Sequence, residues 1–266
     1  MQNLTNQQID EFHKNGFLLV ENCFSDIEIN QMLSITKKFN IKKLEDWKSG
    51  EEMAYYETSK NDSNDRILMR VENFVDYHQI FRGVANSEKI LGVIEKIIGE
   101  HCVLFKDKIN FKQYGGGGFR PHQDKTTKWD KFCSMFISAM ITLTESTVEN
   151  GCLEVAPGVH KRGWITKNPD SGLLSEEETK EMNFVEIPTK PGDVIFFDAF
   201  TPHKSKSNYS KEQRVNVYLT YNKKNEGDYR SEYFLEKRQD FPPDNERSKG
   251  LQIKNSEVHE SSYSLN

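Results

Sequence analysis

From residue 101 onward the chain alternates with a period of two. Val103, Phe105, Ile109 and Phe111 are interleaved with Leu104, Lys106, Lys108, Asn110 and Lys112. On an extended backbone this puts apolar side chains on one face and mostly polar ones on the other. A surface strand reads the same way, but in a barrel with a polar lumen the second face would line a site. More short extended segments follow. Residues 132–144 carry small and apolar side chains on both faces, as a buried sheet does. Residues 152–156, 194–197 and 214–221 also read as strands, separated by the turns Glu149-Asn150-Gly151, Pro157-Gly158 and Pro191-Gly192-Asp193.

The N-terminal third is different. Thr5-x-x-Gln8 and Ser25-x-x-Glu28 are capping boxes that predict helices over 5–14 and 25–39, with a strand at 16–21 between them. Residues 66–75 predict a strand, and 87–98 carry a helical apolar stripe ended by Gly99. Residues 41–65 are polar with no clear period and read as a long loop or mobile flap. Residues 250–266 read as a loosely ordered tail. The whole chain, 1–266, reads as one domain, mainly β with flanking helices, with a double-stranded β-helix (jelly-roll, cupin-like) core.

Composition narrows the function classes. A net charge of −5 and short basic clusters argue against a nucleic-acid surface. Four widely spaced cysteines without a Cys-x-x-Cys fit reduced thiols. No basic-then-apolar leader opens the chain, and no apolar run approaches the ~18 residues of a membrane span. A cytoplasmic protein that acts on a small molecule, away from membranes, is expected.

The candidate chemistry lies in Phe119-Arg120-Pro121-His122-Gln123-Asp124. On a strand, residues i and i+2 share a face, so His122 and Asp124 would project together. With His203 they would form two imidazoles and one carboxylate, the facial arrangement of non-haem Fe(II) oxygenases. The dipeptide spacing alone is weak. With 7 His and 41 acidic residues in 266, chance supplies 7 × 41/266, about one His-x-Asp/Glu.

The surrounding motifs carry more. His122-Gln123-Asp124 is followed by Asn150-Gly151-Cys152-Leu153, Pro157-Gly158-Val159-His160-Lys161, Pro191-Gly192-Asp193-Val194, His203-x-Ser205 and Arg214. In this order, over about residues 5 to 222, the chain resembles the phytanoyl-CoA dioxygenase family of Fe(II)/2-oxoglutarate oxygenases. The resemblance implies that His122, Asp124 and His203 hold iron, with the remaining coordination positions serving 2-oxoglutarate and O₂. It also implies that Arg214 and Ser205 bind the distal carboxylate of 2-oxoglutarate, a task suited to a bidentate guanidinium. Asn110 matches a 2-oxoglutarate contact of some relatives, and Asn216 shares the face of Arg214. His160 matches a structural Pro-Gly-x-His turn. Related halogenases have a small residue in place of the carboxylate at 124, so hydroxylation is the expected outcome here.

A finer resemblance concerns the substrate. Tyr221-Asn222, Glu226-Gly227-Asp228-x-Arg230, Tyr233, Lys237-Arg238 and Phe241-Pro242-Pro243-Asp244-x-Glu246-Arg247, with 108–112, look like bacterial hydroxylases of 2-aminoethylphosphonate or its N-methylated relatives. A phosphonate needs donors, for which Lys108, Arg120 and Arg230 are the available types. The amine end calls for an aromatic wall or carboxylates, with Trp129, Tyr218, Glu145 and Asp198 as candidates by residue type. Other small amines, amino acids or secondary metabolites are alternative substrates. A non-catalytic cupin-like binding protein is expected to have lost a ligand or the Arg. A zinc hydrolase has no use for a co-substrate carboxylate grip.

Overall fold

The computed structural model describes residues 4–247. Both capping boxes form: the Thr5 and Ser25 hydroxyls accept from the backbone N–H three residues on, while Gln8 and Glu28 reach back to the cap. They open α1 (Asn6–Asn15) and α2 (Asp26–Ile41). Gly16 ends α1 in left-handed backbone at φ +82°, and a Cβ there would lie 2.4 Å from the His160 ring. His160 therefore packs against the end of α1, a structural place.

The chain continues through β1 (Phe17–Val20), β2 (Met53–Thr58), β3 (Arg66–Glu72), α3 (Gln79–Ala85) and α4 (Leu91–Ile98). Then come β4 (Cys102–Lys112), β5 (Phe119–His122), α5 (Thr127–Asp130), β6 (Phe136–Thr142), β7 (Leu153–Val155) and α6 (Glu176–Thr179). β8 (Val185–Ile187), β9 (Val194–Asp198), β10 (His203–Ser205), β11 (Arg214–Lys223) and α7 (Arg230–Asp240) complete it.

Seven strands form one sheet in the order β1-β9-β6-β11-β4-β3-β2, and four form a second in the order β5-β10-β7-β8. This is the double-stranded β-helix that the turn-and-strand pattern predicts. Alternation along the central strands feeds two cores. Ala139, Ile141, Phe196, Val217 and Leu219 face α1–α4, where Phe12, Met32, Phe39 and Ile94 cover them. Met140, Ile195, Phe197 and Tyr218 face Leu153 and Val155 of the smaller sheet. Strands buried on both faces show no polar alternation, which is why 132–144 read as uniformly apolar.

Two expectations need correction, and one helix was not anticipated. Residues 53–58, read as part of a loop or flap, are edge strand β2, paired antiparallel with β3. Their alternation is masked because both faces are covered: Ala54 joins the helix-side core and Tyr55 the opposite cluster. Glu57 is buried too, accepting from the Gly117 backbone N–H at 3.0 Å. The polar C-terminal stretch contains α7, whose only buried side chains are Tyr233 and Phe234, too narrow a stripe to show as a period. Finally, Phe105 does not share a face with Ile109. A β-bulge between the partners of Thr220 and Tyr221 swings it into a cluster with Trp129, Phe136 and Tyr233, at ring separations of 4.6–5.3 Å. The tail expectation at 250–266 lies outside the described residues. Among the described residues no helix is long and apolar enough to cross a membrane.

Candidate active site

The two sheets meet around three side chains. His122 on β5 and His203 on β10 are direct antiparallel partners, which brings their rings to a centroid separation of 4.1 Å. Asp124 lies in the bend just beyond β5, and its carboxylate oxygens are 3.8 Å from His122 Nε2 and 4.0 Å from His203 Nε2. Two metal–ligand bonds of about 2.0–2.2 Å can span such gaps. All three donor atoms lie within 4.8 Å of one another.

Backbone carbonyls orient the imidazoles. Nδ1 of His122 meets the Arg120 carbonyl at 2.7 Å, and Nδ1 of His203 meets the Thr201 carbonyl at 3.0 Å. A carbonyl can only accept, so each Nδ1 carries the proton and each Nε2 presents a lone pair to the shared space. Burial pushes His122 down to about 3 and lowers His203 as well, which keeps both rings neutral. Burial alone would raise the Asp124 carboxyl. The ammonium of Lys108, with Lys106 beyond it, opposes this and holds the group well below the usual range. Two neutral imidazoles and one carboxylate are a donor set that a divalent cation fits.

Behind this cluster, β11 and β4 pair in register: Arg214 with Lys112, Asn216 with Asn110, and Tyr218 with Lys108. Arg214 is 1% exposed. Its Nη1 donates to the Gly151 carbonyl, its Nε has no partner, and no carboxylate pairs with it among the described residues. Burying a guanidinium without an anion costs several kcal/mol, so the site is built for an anion supplied from outside. Asn110 Oδ1 and Asn216 Oδ1 are likewise buried without partners. The Ser205 hydroxyl accepts from Lys112 Nζ at 2.7 Å, leaving its own proton to donate. The unpaired guanidinium and the free hydroxyl proton fit a dicarboxylate such as 2-oxoglutarate.

Sequence reasoning passed over two members of this group. Lys112 shares a face with Lys108 and Asn110, a signal present in the strand period. Gly151 was read as a hairpin turn. It is also the acceptor that places Arg214 and, at 3.4 Å, Lys112. Its φ is +73°, and a Cβ there would lie 2.1 Å from the Lys206 carbonyl, so only glycine fits.

A cavity of about 210 Å³ opens from His122 and Asp124. Lys108 and Trp129 line it, as do Tyr55, Arg70 and Lys106 from the sheet and Tyr233, Lys237, Phe241 and Arg247 from the C-terminal segment. α7, whose narrow apolar stripe shows no period in the sequence, thus forms a wall of the pocket. Lys108 Nζ sits 4.6 Å above the Tyr218 ring. Burial lowers Lys106 to about 8 against the opposing pull of Glu72.

Other expected substrate contacts lie elsewhere. Arg230 is committed to Asp107, on the far face of β4, and to Asp76. Glu145 is exposed, and its carbonyl serves Asn150. Arg120 does not line the cavity; its carbonyl holds His122. Asp198 ends β9, just before the turn to His203, and accepts from the Phe200 N–H at 2.7 Å. Burial raises its carboxyl from 3.8 to about 6, so the folded state takes up a proton that the unfolded chain releases. That contribution to stability is present below about pH 4 and is lost as pH rises through 6. Asp198→Asn keeps the acceptor and removes the charge. It is expected to stabilise the fold by about 1–3 kcal/mol at pH 7.5 and by little at pH 4. Urea unfolding at the two pH values checks this; equal effects at both would reject it.

Comparison with known proteins places this arrangement. The model of the phytanoyl-CoA dioxygenase (PhyH) family matches residues 12–216. The chain belongs to the phytanoyl-CoA dioxygenase family. It is an oxygenase dependent on iron and 2-oxoglutarate, and the His-Asp-His cluster is able to bind the metal. One relative is the 2-aminoethylphosphonate dioxygenase of uncultured bacterium HF130_AEPn_1, 36% identical over 259 residues, covering 97% of this chain and 96% of the relative. Another is the methylphosphonate hydroxylase of Gimesia maris, 31% identical over 238 residues, covering 90% of this chain and 88% of the relative. The solved structure of EctD from S. alaskensis with 2-oxoglutarate and 5-hydroxyectoine shares the fold at a TM-score of 0.69 and 22% identity, over 83% of this chain and 76% of that one.

Proposed function

We propose that this family member hydroxylates a small phosphonate, 2-aminoethylphosphonate or an N-methylated relative, and releases succinate and CO₂. The observation that carries the reading is Lys108. Its ammonium lies in the cavity, has no hydrogen-bond acceptor among the described residues, and is the strongest opposing charge on Asp124. An anionic headgroup held by Lys108 would bring its attached carbon beside the metal ligands. The full-length likeness to a 2-aminoethylphosphonate dioxygenase supports the same substrate, and a cavity of about 210 Å³ suits a molecule of that size better than an acyl-CoA.

In this reading His122, Asp124 and His203 hold Fe(II) through Nε2, a carboxylate oxygen and Nε2. When bound, iron and 2-oxoglutarate supply the oxidation that inserts one oxygen atom of O₂ into a substrate C–H bond. Arg214 and the Ser205 hydroxyl would grip the distal carboxylate of 2-oxoglutarate, and the Nδ2–H groups of Asn110 and Asn216 would donate to its other oxygens. Lys112 fixes Ser205, and Gly151 fixes Arg214. Trp129 forms part of the apolar wall that excludes water from the reacting carbon, and Tyr218 supports Lys108 from below. Glu236 and Asp240, at the cavity rim and paired with Lys131 and Lys128, are carboxylates that a substrate amine would meet.

The test is succinate formation from 2-oxoglutarate with Fe(II), ascorbate and O₂, in the presence of 2-aminoethylphosphonate, its N-trimethyl analogue, small amino acids or an acyl-CoA. Stimulation by a phosphonate with a matching hydroxylated product is expected. Stimulation by an amino acid or acyl-CoA alone would reject the substrate.

A further inference from the structure

The cavity has a charge imbalance that one lysine does not explain. Lys106 and Lys108 occupy alternate positions on β4 and face the same space. Among the described residues neither ammonium has a hydrogen-bond acceptor or a carboxylate within ion-pairing distance. Each rests on aromatic faces instead: Lys106 Nζ is 5.0 Å from the Trp129 ring and 5.8 Å from the Tyr233 ring, and Lys108 Nζ is 4.6 Å from the Tyr218 ring. Two more cations enter from either side. Arg70 from β3 lies 4.5 Å over the Tyr55 ring, with Nε 2.9 Å from Glu72. Lys237 from α7 pairs with the other oxygen of the same carboxylate. Of the four cations only Arg70 and Lys237 contact Glu72, which is fully buried; Asp124 belongs to the metal cluster, and Glu236 and Asp240 at the rim pair with Lys131 and Lys128. The aromatic rings here hold the chain's own cations and do not form a cage for a ligand's ammonium. Buried like charges repel unless an anion joins them.

We infer that Arg70, Lys106, Lys108 and Lys237 form a subsite for a dianionic headgroup, and that this subsite makes the enzyme choose a phosphonate over a sulfonate of the same shape. The inference rests on the phosphonate reading and extends it from one lysine to a four-cation subsite. A sulfonate carries one negative charge and the same three oxygens, so shape cannot separate the two. Charge can, because the surplus of cations is only partly neutralised by a monoanion. Lys237 comes from the C-terminal helix, so the headgroup would also tie α7 to the sheet.

Binding decides this without turnover. Protein loaded with Fe(II) and 2-oxoglutarate is titrated without oxygen, by calorimetry, with 2-aminoethylphosphonate and with 2-aminoethylsulfonate. The unmodified protein is expected to prefer the phosphonate by at least about tenfold. Lys106→Met keeps most of the length of the side chain and removes its charge. It should weaken phosphonate binding by about 10- to 100-fold, the scale of one charge-assisted hydrogen bond, and affect the sulfonate far less. Lys237→Met should act in the same direction, and Lys106→Arg should restore part of the preference. A merely structural role would weaken both ligands equally. Equal affinities in the unmodified protein, no binding of either ligand, or an unchanged ratio in both Met variants would overturn the subsite. Selective phosphonate binding without hydroxylation would leave the subsite standing and overturn the substrate reading alone.

Discussion

His122→Ala, Asp124→Ala and His203→Ala are each expected to remove iron-dependent turnover while leaving the fold in place. Loss of an outer partner of a metal ligand typically costs 10–100-fold, so loss of a ligand should exceed about 100-fold. The three variants are not equivalent for the unliganded protein. Either imidazole is a neutral, buried ring in an aromatic setting; His203 lies 5.1 Å from Phe197, the two rings tilted at 58°. Asp124 is the carboxylate that faces Lys108, and removing it leaves a surplus of positive charge in the cavity. Asp124→Ala should therefore bind iron poorly and also lower the unfolding midpoint of the metal-free protein. His203→Ala should show a smaller electrostatic cost. Iron titration, turnover and thermal unfolding of each purified variant check this. Normal activity in a metal-checked variant would reject that residue as a ligand.

Arg214→Met should raise the 2-oxoglutarate requirement by about 30-fold or more, the cost of truncating one partner of a buried charged contact. The requirement for the hydroxylated substrate should change much less. Arg214→Lys should not rescue it, because an ammonium cannot make the two parallel bonds of a guanidinium. Stability separates this role from an ordinary structural arginine. In the protein without co-substrate, Arg214 is buried, its Nε is unpaired, and no carboxylate faces it among the described residues. Replacing it with an apolar side chain of similar length should leave the empty protein as stable or more stable. The stabilisation normally given by added 2-oxoglutarate should disappear. A large loss of stability with an unchanged 2-oxoglutarate dependence would reverse the assignment.

The sequence by itself determined the helix caps, most strand positions and the family. These depend on local signals: a Ser or Thr three residues before Gln or Glu, a period of two, and Gly or Pro at turns. The His122-x-Asp124 spacing was legible as a candidate pair, although Asp124 lies in the bend past β5 and not on the strand, and the pairing of His203 with Arg214 was legible only through the family resemblance. Tertiary structure alone decided the rest. Only the antiparallel pairing of β5 with β10 places His203 opposite His122, 81 positions apart in the chain. Only the bulge in β4 turns Phe105 toward Trp129 and Tyr233, since one inserted residue shifts every side chain before it to the other face. Arg230 and Lys237 show the same limit from the other side. Both are cations on α7, seven residues apart, yet Arg230 is taken by Asp107 behind β4 and Lys237 reaches Glu72 at the cavity wall. Residue type names a possible partner for a charge, and packing chooses which partner lies within about 4 Å.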